Sequence, residues 1–277
     1  MAAPSRTNDG RPAGAPRSGT QSIERVVAML RVVASRGRSG MRLGDVTSAS
    51  GLPLSTCFRM LQRLEIEGLL ERHPVTRKYF LGPLLHELGL LARPRIGLAE
   101  RCEQALADLA EHTHDTVYLS ERRGTEAVCS ARALGDYPIK ALTLDVGVRR
   151  PLGVGAGGLA ILCALPEGEA DEIIETNAHR YGKLSNLQPD RVRAAVREGR
   201  AQGFAFLDGP VVPGVAAVGV AFPARDPVAA ISVAAISARL DPARRALVAA
   251  ELQRAALQLA EALAGPGAPA APTPARR

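Results

Sequence analysis

Residues 51–72 read "GLPLSTCFRMLQRLEIEGLLER", and the spacing inside this stretch decides how the first third of the chain folds. Cys57, Met60, Leu61 and Leu64 fall at i, i+3, i+4 and i+7, the apolar stripe of a helix that faces other helices. The opposite face presents Ser55, Thr56, Phe58, Arg59, Gln62 and Arg63. Those side chains suit DNA. An arginine pairs two donors with guanine, a glutamine does the same for adenine, and hydroxyls serve phosphates at a helix N-terminus. An exposed Phe58 between polar neighbours also points to a partner rather than to water.

The flanks complete the pattern. Upstream, "SIERVVAMLRVVASRG" (22–37) places Ile23, Val26, Val27, Leu30 and Val33 at helical spacing, with Ser22 as the expected N-cap and Gly37 as the stop. "LGDVTSASGLP" (43–53) predicts a short helix with Leu43 and Val46 inward, ended by Gly51. Downstream, "GLLERHPVTRKYFLG" (68–82) reads as two short apolar runs joined around His73–Lys78, a hairpin with Arg77 and Lys78 beside its tip. Three helices and a basic hairpin make a winged helix-turn-helix, whose third helix enters the major groove while the wing follows the backbone.

Charge agrees with that division. The chain has 277 residues and a formal net charge of +7. Residues 21–82 hold ten Lys/Arg against five Asp/Glu, whereas residues 83–264 hold 20 against 22. The basic excess therefore sits in the N-terminal segment and the two ends, which implies a polyanion partner for that segment. Residues 1–20 and 265–277 are rich in Pro, Gly and Ala and are expected to be disordered tails. The Ala-rich opening lacks the apolar run of a secretory signal, and no stretch is long and apolar enough to span a bilayer, so no membrane partner is expected. Cys57, Cys102, Cys129 and Cys163 are widely spaced among apolar neighbours and read as buried free thiols of a cytoplasmic protein. The pair His112 and His114 reads as satisfied or solvated rather than as a metal site.

Beyond residue 83, "PLLHELGLLA" predicts a linker helix within residues 83–98, and "RIGLAERCEQALADLAEHT" a second helix with Leu98, Cys102, Leu106 and Leu109 inward. Strands are expected at "TVYLSERR", "EAVCSARA", "IKALTLDVG", "VAAVGVAFPA" and "VAAISVAAIS", with helices at 158–164, 167–177, 190–202 and 241–264. Strands mixed irregularly with helices indicate an α+β domain over residues 99–264. Within it, "PLGVGAGGLAIL" (151–162) matches a Gly-x-Gly-x-x-Gly dinucleotide fingerprint, with acidic residues about 20 positions on. That motif needs a buried strand running straight into its first glycine. Arg149, Arg150 and Pro151 are not expected to form one, so no cofactor is expected. Enzyme signatures such as G-x-S-x-G and H-E-x-x-H are also missing from the sequence.

The segments "SIERVVAMLRVVA", "GLPLSTCFRMLQRLEIEGLLER" and "RKYFLGP" resemble the N-terminal domain of IclR-type transcriptional regulators. The family's "GLPxST" turn, its Arg four residues after the Ser and its "Y-x-LG" wing end correspond to Gly51–Thr56, Arg59 and Tyr79–Gly82. The resemblance covers about residues 21–264. It implies a winged helix-turn-helix domain over 21–82 and a C-terminal domain of GAF-like fold that binds a small-molecule effector. It further implies a homodimer or homotetramer acting on a palindromic operator in double-stranded DNA. In the family's "P-L-x-x-x-x-x-G-K" element Pro151, Leu152 and Gly158 match, and Leu159 replaces the Lys. Carried over by position, Gly155, Ala156, Gly157, Leu207, Val215, Ala217 and Ser232 are the expected effector contacts, with the glycines leaving open space for the ligand. Leu207, Ala217 and Ala234 stand where relatives that bind small oxo-acids carry polar or small groups. The resemblance thereby implies a larger or more apolar effector, or a pocket that has lost its ligand. The alternative reading is a constitutive or architectural DNA-binding protein whose C-terminal domain only oligomerises.

Overall fold

The computed structural model describes residues 20–92, 97–184 and 186–264. The expected tails, apart from Thr20, and residues 93–96 of the expected linker lie outside the described residues. The chain divides into two compact units, Met1–Arg93 and Pro94–Arg277.

The first unit contains α1 (Gln21–Ala34), α2 (Leu43–Ser50), α3 (Leu54–Ile66), β1 (Leu70–Arg72), β2 (Tyr79–Leu81) and α4 (Pro83–Ala92). Its core joins Met29 and Val33 of α1, Val46 of α2, and Cys57, Leu61 and Leu64 of α3 to Leu70 and Tyr79 of the hairpin. Gly51 caps α2 in the left-handed region at φ +66°, a conformation that glycine adopts without penalty and that turns the chain into α3. The reading of α1 needs correction. Its inward stripe is Val26, Met29, Leu30 and Val33, leaving Ile23 63% exposed and Val27 on the flank. The N-cap is Thr20 rather than Ser22, and Gly37 opens a 3-10 turn instead of ending the helix.

The second unit is built on an antiparallel six-stranded sheet. Its elements are α5 (Leu98–Thr113), β3 (Thr116–Arg123), β4 (Glu126–Leu134), β5 (Arg149–Pro151), α6 (Ala156–Ala164), α7 (Glu167–Leu184), α8 (Pro189–Gln202), β6 (Ala205–Asp208), β7 (Val215–Phe222), β8 (Ala229–Ile236) and α9 (Pro242–Ala264). The strand order is β5-β4-β3-β8-β7-β6. Alternation along each strand assigns the faces. Val117 and Leu119 of β3, Ala216 and Val218 of β7, and Ile231 and Val233 of β8 pack with α5 and α9. The intervening residues face α6, which is buried along its first seven residues, and a second core reaches α7 and α8 through Ile174, Tyr181, Val192 and Val196.

Several expected elements change here. "IKALTLDVG" is no strand: Tyr118 Oη donates to the Ala141 carbonyl at 2.6 Å, Arg132 donates to that of Leu144, and Arg150 to that of Thr143. Side chains hold this loop where a ladder was expected. Arg149, Arg150 and Pro151 do form a strand, β5, but a three-residue edge strand antiparallel to β4. A dinucleotide fold needs parallel strands joined through a helix. Every pairing in this sheet is antiparallel, so the glycine pattern has no such setting. The α7 helix runs past residue 177 to Leu184 because Tyr181 is buried and Asn177 donates to the Thr125 carbonyl at 2.8 Å. The short strand β6 was not expected.

The glycines instead allow close packing of α6 on the sheet. A Cβ on Gly219 of β7 would stand 2.5 Å from the carbonyl oxygen of Ala156 and 3.2 Å from the Gly157 nitrogen. Backbone rests on backbone there. Gly219→Ala is therefore expected to destabilise the C-terminal unit by about 1–3 kcal/mol through overpacking. Urea denaturation followed by circular dichroism measures this, and an unchanged midpoint would show that α6 can lift away without cost.

Candidate functional site

Two sites emerge, one in each unit. On α3, burial of Cys57, Leu61 and Leu64 turns the opposite face to solvent. Ser55, Arg59, Gln62 and Arg63 are exposed there, Phe58 is 41% exposed, and Thr56 is half-buried. The expected face is thus physically one face. Arg63 differs from Arg59 in one respect: it forms an i,i+4 ion pair with Glu67.

The wing is anchored from inside. Tyr79 is fully buried, and its backbone exchanges hydrogen bonds of 2.8 and 3.0 Å with Met41. At the tip, His73 Nδ1 accepts from the backbone N–H groups of Val75 and Thr76, each at 3.2 Å, and Arg77 sits at φ +57° with its N–H on the His73 carbonyl. Arg77 is exposed. Lys78 is half-buried, and its Nζ donates to the Ser39 carbonyl at 2.9 Å, so it braces the wing as well as charging it.

The second site is a cavity between the N-terminus of α6 and the sheet. Gly155, Ala156, Gly157, Leu207, Val215, Ala217 and Ser232 all line it, with a cavity volume of about 60 Å³. Leu207, Ala217 and Ala234 form one cross-strand row through β6, β7 and β8, and Gly219, Ser232 and Tyr118 form the next. Gly155 caps α6 at φ +87° with no side-chain cap, which leaves the first-turn N–H groups for whatever enters. Gly157 needs a correction. It leaves no open space: a Cβ there would lie 2.7 Å from Ser120 Oγ and 3.6 Å from Ser232 Oγ. This glycine is a close-approach residue over the cavity floor.

Sequence reading missed Tyr118, Ser120, Thr143, Val154, Val211 and, above all, Arg150, which also line the cavity. Period-two alternation in "TVYLSERR" marks Tyr118 and Ser120 as one face, so that signal was present. In β5 the same alternation sends Arg149 outward to Glu126 at 3.4 Å and Arg150 inward. Burial draws the Arg150 pKa below its ordinary value, pushes Tyr118 up, and pushes the nearby Cys129 thiol to about 11. Tyr118 and Cys129 are therefore neutral at pH 7.

A larger cavity of about 500 Å³ lies between α6, α8, β7 and α9 and contains none of the expected residues. Its polar groups are already engaged: Arg200 donates to the carbonyls of Cys163 and Leu165, and Gln253 to that of Gly203. Cys57, Cys102 and Cys129 are buried free thiols, while Cys163 is only half-buried. His112 Nδ1 bonds the Asp108 carbonyl and His114 Nδ1 bonds Asp136. Among the described residues no cluster of metal-ligating side chains occurs, and no helix is long and apolar enough to cross a membrane.

Comparison with known proteins covers both units. The model of the IclR helix-turn-helix domain matches residues 22–74, and that of the bacterial transcriptional regulator IclR C-terminal domain matches residues 92–261. The chain is 26% identical over 249 residues to the HTH-type transcriptional regulator XynR of Escherichia coli, covering 89% of this chain and 98% of that one. Its fold is similar to an IclR transcriptional regulator from Alicyclobacillus acidocaldarius, with a TM-score of 0.69, 22% identity, and coverage of 87% and 97%. It is also similar to an IclR homologue from Microbacterium hydrocarbonoxydans complexed with 4-hydroxybenzoate, with a TM-score of 0.65, 22% identity, and coverage of 88% and 99%. The winged helix-turn-helix unit, the α+β unit and these matches together place the chain in the IclR family of DNA-binding transcriptional regulators.

Proposed function

We propose that this regulator reads its operator with α3 and the wing, and that a small molecule in the cavity beneath α6 sets its affinity for DNA. One observation carries the second half: seven residues from four separate elements, α6 with its N-cap, β6, β7 and β8, line a single cavity. The relative complexed with 4-hydroxybenzoate supports a ligand in a protein of this fold. On α3, Arg59 and Gln62 read bases, Ser55 and Thr56 meet phosphates, and Phe58 packs against the groove. Arg63 joins them after exchanging Glu67 for DNA. Arg77 and Lys78 follow the backbone.

The protein acts in the cytoplasm as a homodimer or homotetramer on a palindromic operator, one half-site per recognition helix. Exposed Ile23 and Val27 on α1, and Leu88, Leu90 and Leu91 on α4, support self-association.

Arg59→Ala is expected to cost about 1–3 kcal/mol of operator affinity with an unchanged melting temperature. Arg63→Ala should cost less, because its guanidinium already has a partner in the free protein. Fluorescence anisotropy with DNA from upstream of its own gene checks both; unaltered affinity in both would remove α3 as the reading helix. Arg77→Ala is expected to weaken specific and random DNA alike and to make the salt dependence shallower by about one unit. A loss confined to one operator sequence would make the wing a base-reading element.

For the cavity, Ala217→Leu is the suitable steric test, because Ala217 already carries a Cβ on the cavity wall whereas Gly157 has no room for one. The variant is expected to bind its operator like the parent and to lose the response to effector, since a ligand shifts an equilibrium only through differential affinity for two states. A folded variant that responds at the parental effector concentration would exclude this cavity.

A further inference from the structure

Arg77 occupies a backbone conformation that an arginine does not favour. Its φ of +57° lies in the left-handed region, which glycine enters freely and other residues enter only where the surroundings impose it. The guanidinium itself is exposed and makes no ion pair among the described residues. An arginine kept at a strained position, with its charge unused inside the protein, points to a task for that charge outside it.

One residue imposes the conformation. The N–H of His73 donates to the Lys78 carbonyl, and its carbonyl accepts from the Arg77 N–H, each at 2.9 Å. Its ring fills the space between, where Nδ1 accepts from the N–H groups of Val75 and Thr76 at 3.2 Å each. Pro74 has no N–H to offer. Every backbone donor of the loop 74–77 therefore ends on His73. The Arg77 carbonyl is held from the other strand, by Arg72 Nε at 3.4 Å. Because Nδ1 is an acceptor, the proton of the neutral imidazole sits on Nε2. The position thus calls for a lone pair close to the backbone, which His shares with Asn and Asp but not with Ala or Lys.

We infer that His73 is a positioning residue for DNA binding: it gathers the N–H groups of the wing loop and so imposes the left-handed turn that aims Arg77 at a backbone phosphate. The inference rests on the reading of Arg77 as a phosphate contact. It adds a residue that does not itself meet the phosphate and acts through Arg77. The hydrogen bonds on His73 offset the strain at position 77, and the outward guanidinium is what that arrangement secures. Lys78 on Ser39 fixes the base of the wing, whereas His73 fixes its tip.

Fluorescence anisotropy of the full-length protein on operator DNA and on a random duplex, with a melting curve for each variant, tests the assignment. His73→Ala is expected to weaken both duplexes by about three- to tenfold, the effect of one net hydrogen bond. His73→Asn, whose amide oxygen accepts from the same two N–H groups, should bind within about twofold of the parent. On an Arg77→Ala background, His73→Ala should cost no more than about a further twofold, because the group it positions is gone. Arg77→Gly should melt no lower than the parent, since glycine takes φ +57° freely, yet bind as weakly as Arg77→Ala. That variant keeps the test open should His73→Ala fold poorly. Parental affinity in His73→Ala beside a weakened Arg77→Ala would overturn the positioning role and leave the wing reading intact. Additive losses in the double variant, or an Asn variant as weak as the Ala one, would overturn it too. So would an Arg77→Gly protein that melts below the parent, for the arginine would then be holding the wing. Parental affinity in both Arg77 variants removes the wing reading, and the role of His73 with it.

Discussion

The C-terminal unit depends on how closely one helix backbone can approach a sheet. α6 lies on β7 with the Ala156 carbonyl where a side chain at position 219 would be, and on β3 with Gly157 against Ser120. At position 219 only glycine permits the approach, because the obstacle is backbone; at 157 the obstacle is the Ser120 side chain. Moving α6 outward by the width of a methyl group would open the core that joins Leu159, Ile161 and Leu162 to α7 and α8. It would also enlarge the cavity at the helix N-terminus, which Ser120 and Ser232 line. The same contact therefore fixes the core and sets the size of the cavity. The glycine pattern that mimics a dinucleotide motif is a consequence of this packing, with Gly153 and Gly155 turning the chain from β5 into α6 at φ +95° and +87°.

The N-terminal unit meets a different constraint with similar means. A wing of two three-residue strands is too short to stand by itself, so its position is fixed from beneath. Tyr79 inserts its ring into the helical core and pairs with Met41, and a Cβ on Gly82 would lie 2.2 Å from the Gly68 carbonyl oxygen. The buried ring and this close crossing explain why the wing ends with Tyr79 and Gly82. Lys78 on Ser39 ties the hairpin to the turn between α1 and α2. With both strands fixed, Arg77 is held at a defined place at the tip, and the exposed side chains of α3 share one rigid frame with it.

What the sequence disclosed follows from the range of the forces involved. The α3 stripe, the Gly51 turn and the hairpin were legible because helical periodicity and turn chemistry act over a few residues. The inward face of α1 was misread by part of a turn, since Ile23 and Met29 are equally apolar and only the placement of α2 chooses between them. The loop 139–147 looked like a strand because its composition is that of one. Its partner groups, on Tyr118, Arg132 and Arg150, take its carbonyls from across the sheet, and no local pattern announces that. Arg150 was hidden for a related reason. Two adjacent arginines read as surface charge until an edge strand is placed beneath them, and alternation then sends one to Glu126 and the other into the cavity. Carry-over by position named several walls of the cavity, but Arg150 becomes visible only when the strand that carries it has a place in the sheet.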